Sequence, residues 1–275
     1  MNLGSELTNT LSKGACTLTP YPHVTLQNVL SQEAYDKWRE KFPPIETFSM
    51  LRDTNRSNVA VGITLPEVIQ RPDLFSDWTE TFYNLTSKEH FRKMIQFYSS
   101  GISQYYPELG DLEDLRIGRY GVDSDSECDV LLDCHLMINT PVKSESRVRG
   151  PHLDNFQALY VALFYFRDDD DDSAGGNFII YEKTTDNFRL GSGRSVAPRC
   201  IRPVVEVPYL GNNMVSFLNT RDSVHGVSAR SITPFARRYI TFNAVLNRPL
   251  FHYKRKRSMK RYASCLTRLL GRKQA

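Results

Sequence analysis

Long apolar runs are missing from this 275-residue chain. None approaches the roughly 20 apolar residues that a bilayer-spanning helix needs. The start, Met1 to Gly14, is polar and shows no charged stretch followed by an apolar one, so no secretion signal is expected. Paired cysteines are missing too. Cys16, Cys128, Cys134, Cys200 and Cys265 are scattered and odd in number, with no CxxC. This argues against a disulfide framework or a structural zinc site and for a reducing, cytoplasmic compartment. There is no internal repeat and no phosphate-cradling loop, because Gly191-Ser-Gly193 lacks the strand–turn–helix setting such a loop requires. Ser223, although close to His225, reads as a strand-end residue and not as a hydrolase nucleophile.

What is present suits one large domain. Hydrophobic residues make up 40% and charged residues 24%, enough for a sizeable core. The net charge of +4 is unevenly spread. Residues 251–275 carry nine basic side chains and no acidic one, whereas the remainder is mildly acidic. Met259, Tyr262, Leu266 and Leu269 approach helical spacing in that tail, among Lys260, Arg261, Arg268 and Arg272. A basic amphipathic helix there could lie on an anionic membrane surface, contact nucleic acid through phosphates, or pack on the domain. The body shows no basic–aromatic groove, which weakens the nucleic-acid reading.

Along the chain, residues 1–19 read as a loose, flexible N-terminus and residues 20–250 as the domain. Ser31 is placed to cap a helix running to about Phe42, with Pro43-Pro44 stopping it. Residues 48–63 read as loop and short strand. Between Asp73 and Ser100, apolar residues at three-and-four spacing predict one long helix, or two broken near Ser87. Helices are thus expected over about 31–100. A β core is expected over about 115–248, with strands at 115–120, 130–139, 157–166, 176–182, 203–208, 213–218, 224–227 and 237–246. Helices first and many short strands afterwards imply a helical layer on a β-sandwich or jelly roll. Asp168 to Asp172 reads as a solvated hairpin turn.

The chemistry concentrates in His152-Leu-Asp154 and His225. Two imidazoles and one carboxylate form the ligand set that leaves coordination positions open on non-haem Fe(II). On a strand, His152 and Asp154 point the same way. His225 follows the apolar strand Met214 to Leu218, and a return path through Gly175-Gly176 could deliver it to the same place. Of Arg237 and Arg238, which face opposite ways on one strand, Arg238 is the expected pocket-floor cation. Ile240 and Phe242 continue its inward face, leaving Arg237 to solvent. A guanidinium so placed can hold a carboxylate through two parallel bonds.

Together, Pro151-His152-Leu-Asp154-Asn155, Gly175-Gly176-Asn-Phe-Ile-Ile-Tyr181, Val224-His225-Gly-Val227 and Arg238-Tyr-Ile-Thr241 resemble the Fe(II)- and 2-oxoglutarate-dependent dioxygenases, prolyl-hydroxylase-like branch. The resemblance covers most of residues 20–248. It implies a double-stranded β-helix core, mainly β with N-terminal helices. It also implies His152, Asp154 and His225 as metal ligands and Arg238 as the grip on 2-oxoglutarate, with O2 consumed and ascorbate a potential reductant. An unactivated C–H of a small molecule, sugar or peptide side chain would be hydroxylated as 2-oxoglutarate is converted to succinate and CO2. One departure stands out: Asn139-Thr-Pro-Val142 occupies the place where many relatives carry a tyrosine that helps hold the co-substrate, leaving Asn139 or Met137 to line that wall. Loop 183–202, with Arg189, Arg194, Arg199 and Arg202, is either a lid, a substrate-binding insertion or a solvated loop. The competing readings are a non-catalytic binding module on the same scaffold and a cupin-like metal enzyme that does not use 2-oxoglutarate. Oligomeric state is not legible.

Overall fold

The computed structural model describes residues 2–253. The helix expected in the basic tail, and Cys265, lie outside them. In chain order the elements are α1 (Leu3–Ser12), β1 (His23–Leu26), α2 (Gln32–Glu40), α3 (Ile45–Leu51), β2 (Ala60–Thr64), α4 (Leu65–Gln70), α5 (Pro72–Leu85), α6 (Lys88–Phe97), α7 (Ser99–Tyr105), β3 (Ile117–Arg119), β4 (Val130–Asn139), β5 (Ala158–Phe166), β6 (Phe178–Lys183), β7 (Ile201–Val207), β8 (Met214–Leu218), β9 (His225–Val227) and β10 (Arg237–Leu246). Helix and strand take similar shares of the described residues, so the architecture is mixed and not mainly β. None of these helices is long and apolar enough to cross a membrane.

The strands form two sheets among the described residues. The larger runs β1–β8–β5–β10–β4–β2, with β3 parallel to β4; the smaller runs β7–β6–β9. Side-chain alternation along β10 sorts its residues between two cores. Ile240, Phe242 and Ala244 join Phe164 and Phe166 of β5 beneath the helices. Tyr239 joins Tyr165, Phe217, Phe178 and Ile180 between the sheets. The helical layer is anchored by Trp78. Its ring lies 5.3 Å from Trp38 and 5.9 Å from Phe166, and its indole N–H donates to the Lys41 carbonyl at 2.9 Å. A third cluster, with Leu153, Leu190, Val196 and Val224, covers the outer face of the smaller sheet.

Local signals explain the helix starts. Ser31 accepts from the Ala34 amide and Ser87 from the His90 amide. Ser87 therefore opens α6 after α5 has closed. The N-terminus departs from expectation. Residues 3–12 are helical because Leu3, Leu7 and Leu11 form one stripe at four-residue spacing, fully buried against α5 and α6, with Asn2 as cap. Residues 45–51 are also helical, entered after Pro44 and held by buried Phe48. In the aspartate run, Asp171 is buried and not solvated. It accepts from Arg230 at 2.7 Å and from the Ser173 hydroxyl at 2.6 Å.

His90 joins α1 to α6. The Thr8 hydroxyl donates to the Gly4 carbonyl at 2.7 Å, so its oxygen accepts from His90 Nδ1, also at 2.7 Å. His90 Nε2 is buried without a partner. Burial, then the Lys93 charge, pushes this imidazole down to about 3. The unfolded chain takes up a proton below about pH 6.5, whereas the folded chain does not until near its own lower value. Stability therefore falls as pH drops through that window, at a slope approaching about 1.4 kcal/mol per pH unit. His90→Gln removes this contribution. Urea midpoints taken between pH 6.5 and 4 are expected to decline less steeply in the variant; parallel declines would refute the assignment.

Candidate metal centre

The centre begins with backbone pairing. The His152 amide donates to the His225 carbonyl at 2.8 Å, and the His225 amide returns to the His152 carbonyl at 3.1 Å. This reciprocal bridge places the two residues directly opposite each other, so their rings share one side. The ring centroids are 4.3 Å apart. Leu153 points the other way, fully buried in the outer cluster. Asp154 then returns to the side of the imidazoles. Its two oxygens lie 3.4 Å from His152 Nε2 and 3.4 Å from His225 Nε2. Ligand-capable atoms of the three residues lie within 4.8 Å of one another, and theirs is the only such group of three or more found among the described residues.

The protonation pattern follows from the second ring nitrogens. His152 Nδ1 lies 2.8 Å from the Gly150 carbonyl and His225 Nδ1 lies 2.9 Å from the Ser223 carbonyl. A carbonyl only accepts, so each Nδ1 carries the hydrogen and each Nε2 offers a lone pair inward. His225 is further fixed between Phe178, stacked at 5.2 Å, and Phe217 at 4.6 Å. Burial, then the neighbouring His225, pushes His152 down to about 4. Burial alone would raise Asp154, but the electrostatic influence of the two imidazoles, each 3.4 Å away, outweighs it and holds the carboxyl well below its ordinary range. Neutral imidazoles beside a carboxylate are what a divalent ion requires of its donors.

The two arginines are reversed relative to the sequence expectation. Arg238 faces the helical layer, bonded to Asp168 and 5.5 Å from the Phe42 ring. Arg237 faces the space between the sheets and is only 2% exposed. The expectation took Ile240 and Phe242 as marking the site side. They mark the helix side, because both faces of this sheet are buried and apolarity does not distinguish them.

Around Arg237 lies a polar nest that the sequence reading largely missed. Arg237 donates to the Gly176 carbonyl at 2.8 Å and to Asn139 Oδ1 at 3.2 Å. Its guanidinium carbon sits 4.7 Å from the Tyr165 ring, 5.0 Å from Tyr209 and 5.1 Å from Tyr239. Arg237 Nη2, Asn139 Nδ2 and Tyr165 Oη are all buried without partners. Three unspent donors around a cation with no acid of its own fit an anionic ligand with several acceptor oxygens. Asn139, one of the two residues expected at a co-substrate wall, faces Arg237 in this nest; Tyr165 of β5 joins it from its register opposite Tyr239. Gly175 and Gly176 have φ of +77° and +72°. A Cβ on Gly175 would lie 1.7 Å from the Ala229 carbonyl oxygen, so the turn that presents the Gly176 carbonyl to Arg237 requires glycine there.

No family model matches the chain, and no curated protein does. Solved structures do. The fold is similar to a prolyl 4-hydroxylase from Phytophthora capsici (15% identity, 98% of this chain and 76% of that chain, TM-score 0.47). It is similar to a prolyl-4-hydroxylase from Pseudomonas putida (10% identity, 93% and 100%, TM-score 0.43). A non-heme alpha ketoglutarate dependent carbocyclase of nogalamycin biosynthesis, SnoK, is also similar (10% identity, 96% and 91%, TM-score 0.46).

The donor set carries its own test. Asp154→Ala is expected to weaken Mn(II) binding by more than the roughly 10–100-fold that losing an outer-shell partner costs, with circular dichroism unchanged. Unaltered affinity by calorimetry would show that the three side chains do not hold the ion.

Proposed function

We propose that this chain is an Fe(II)- and 2-oxoglutarate-dependent oxygenase that hydroxylates a C–H bond of a small molecule, sugar or peptide side chain. The two-sheet core is then a double-stranded β-helix, with the metal held by His152, Asp154 and His225. One observation carries the reading: two inward Nε2 lone pairs and a carboxylate face one point, while a separate buried arginine, Arg237, stands among unpartnered donors. A metal site alone would not call for the second feature. A dicarboxylate co-substrate calls for both.

The chemistry that Fe(II) supplies when bound is activation of O2, coupled to conversion of 2-oxoglutarate into succinate and CO2. The protein's own residues position and shield. Arg237, Asn139 and Tyr165 would bind the distal carboxylate of the co-substrate. Tyr239, whose ring flanks Arg237, also lies within electrostatic reach of Asp154. The Nδ1–carbonyl bonds keep both imidazoles in the ligating tautomer. Phe178 and Phe217 shield His225 from water. With Asp154 in the carboxylate position, no gap is left for a halide ligand, which favours hydroxylation.

The test is succinate formation from 2-oxoglutarate with Fe(II) and O2. His152→Ala is expected to abolish it in a folded protein. Arg237→Leu is expected to raise the 2-oxoglutarate KM at least about 30-fold, since truncating one partner of a buried charge pair costs about 2–5 kcal/mol, with Mn(II) affinity retained. Arg238→Leu should leave that KM largely unchanged. The opposite ranking of the two arginines would remove Arg237 from the co-substrate site. Absence of succinate in the wild type, under all metal loadings, would favour the non-catalytic module.

A further inference from the structure

The 183–202 segment does not stand off in solvent. The Val196 amide donates to the Pro151 carbonyl at 2.9 Å and the Leu153 amide to the Arg194 carbonyl at 3.2 Å, so the segment lies strand-like along the His152–Asp154 stretch. Arg194 Nε returns to the Leu153 carbonyl at 3.1 Å. Gly193 and Arg194 both adopt left-handed backbone, with φ of +60° and +63°. For a non-glycine residue this costs energy, and it persists where the surroundings require the placement. The effect is to hold one arginine against the backbone between two ligand positions.

A second arginine stands beside it. Arg149 Nη1 lies 3.6 Å from Asp154 Oδ1, beyond hydrogen-bond distance, and its Nη2 reaches the Gly193 carbonyl only at 3.5 Å. Its side chain is 43% exposed, against 21% for Asp154, so it stands on the solvent side of a metal ligand. Such a cation has donors to spare and weak protein partners for them. Arg238, by contrast, is bonded to Asp168, and Arg230 to Asp171.

The acid nearest Arg149 is Asp154, and on the oxygenase reading above, on which this inference rests, that carboxylate belongs to the metal. Co-substrate charge is met separately by Arg237. We propose that Arg149, backed by Arg194, recognises an anionic group, carboxylate or phosphate, on the substrate presented to the metal. Arg149 is a recognition residue: it would fix which C–H lies beside the ion by gripping a charged group at a set distance from it.

The test uses the full chain loaded with Mn(II) and 2-oxoglutarate. Inorganic phosphate and carboxyl-labelled acetate are each titrated in, and paramagnetic relaxation of their phosphorus and carbon signals is read. Strong relaxation by phosphate alone, by acetate alone or by both supports the proposal and identifies the anion class. Arg149→Met should then weaken that anion's binding about tenfold or more, the loss expected when a charge-assisted pair is removed. Arg194→Met should weaken it less, and Arg199→Met, in the same segment, should not change it. Electron paramagnetic resonance confirms that each variant still holds Mn(II). Relaxation that survives Arg149→Met reports direct coordination to the metal and overturns the proposal. So does absence of relaxation by either anion when metal and co-substrate are both bound. Failure of the wild type to bind Mn(II) would overturn the oxygenase reading and this inference together, an outcome distinct from the other two.

Discussion

The reciprocal backbone hydrogen bonds between His152 and His225, at 2.8 and 3.1 Å, are the constraint on which the centre depends. They join a loop that precedes β5 to the first residue of β9, and they do so through main-chain atoms. Once two strands are paired directly, alternation decides the rest: His152 inward, Leu153 outward, Asp154 inward. Leu153 is fully buried, so sliding the register by one residue would expose it and bury a charge in the outer cluster. The apolar residue between the ligands therefore helps specify the ligand geometry without touching a ligand. The 183–202 segment completes the clamp from the other edge, through Pro151 and Leu153.

Legibility followed the physics of each signal. His152, Asp154 and His225 could be singled out because residue type and the two-residue spacing of His152 and Asp154 are readable in the chain, and the fold brings the three together. The strands could be placed because β-branched and aromatic runs were separated by turn residues, and the break at Ser87 could be read because a serine cap is a local device. The side on which Arg237 or Arg238 lies could not be read. In a sheet buried on one side only, the apolar residues of a strand name the inner face. Here Tyr239 and Ile240 are both buried, one against each core, and the pattern is silent about which core holds the site. The amino-terminal helix was legible in principle from Leu3, Leu7 and Leu11, but a short polar terminus disguised it. Asp171 was hidden for a different reason: five like residues read as solvent, and the cation that pairs with one of them in the interior, Arg230, is distant in the chain.

The distribution of buried charge separates structure from function in this fold. Three arginines crowd Tyr209: Arg167, Arg230 and Arg237, with guanidinium carbons 5.3, 5.4 and 5.0 Å from its ring. Asp171 and the carbonyls around it serve the first two. Arg167 donates to the Asp171, Ser173 and Tyr209 carbonyls, and Arg230 to the Asp171 carboxylate. Arg167 thereby ties the turn after β5 together and to Tyr209, and Arg230 ties that turn to the chain before β10. Arg237 receives only neutral acceptors and aromatic faces. Burying a cation without an acid costs several kcal/mol, and cation–π contacts of about 0.5–2 kcal/mol each offset part of it. The fold therefore carries an electrostatic debt at Arg237 that an anionic ligand would relieve, while Arg238, one residue along, has its carboxylate within the protein.

The same contrast orders the rest of the site. Asp154 is held ionised by two imidazoles, so its charge is available to an ion without a further acid being ionised. Arg149 is too far from it for a hydrogen bond and too exposed to be a structural ion pair of any strength. The chain thus sets one arginine in the depth between the sheets, a carboxylate facing two imidazoles, and a second arginine on the solvent side of that carboxylate. An anion bound at each arginine would neutralise it and leave the His152–Asp154–His225 group for an ion. That placement follows from two backbone features, the β10 register that turns Arg237 inward and the strained Gly193–Arg194 turn that supports Arg149. The β10 register also sorts Tyr239 and Ile240 between the two cores, so the packing that builds the sheets is what turns Arg237 inward; the left-handed Gly193–Arg194 backbone is the local feature whose cost the support of Arg149 would explain.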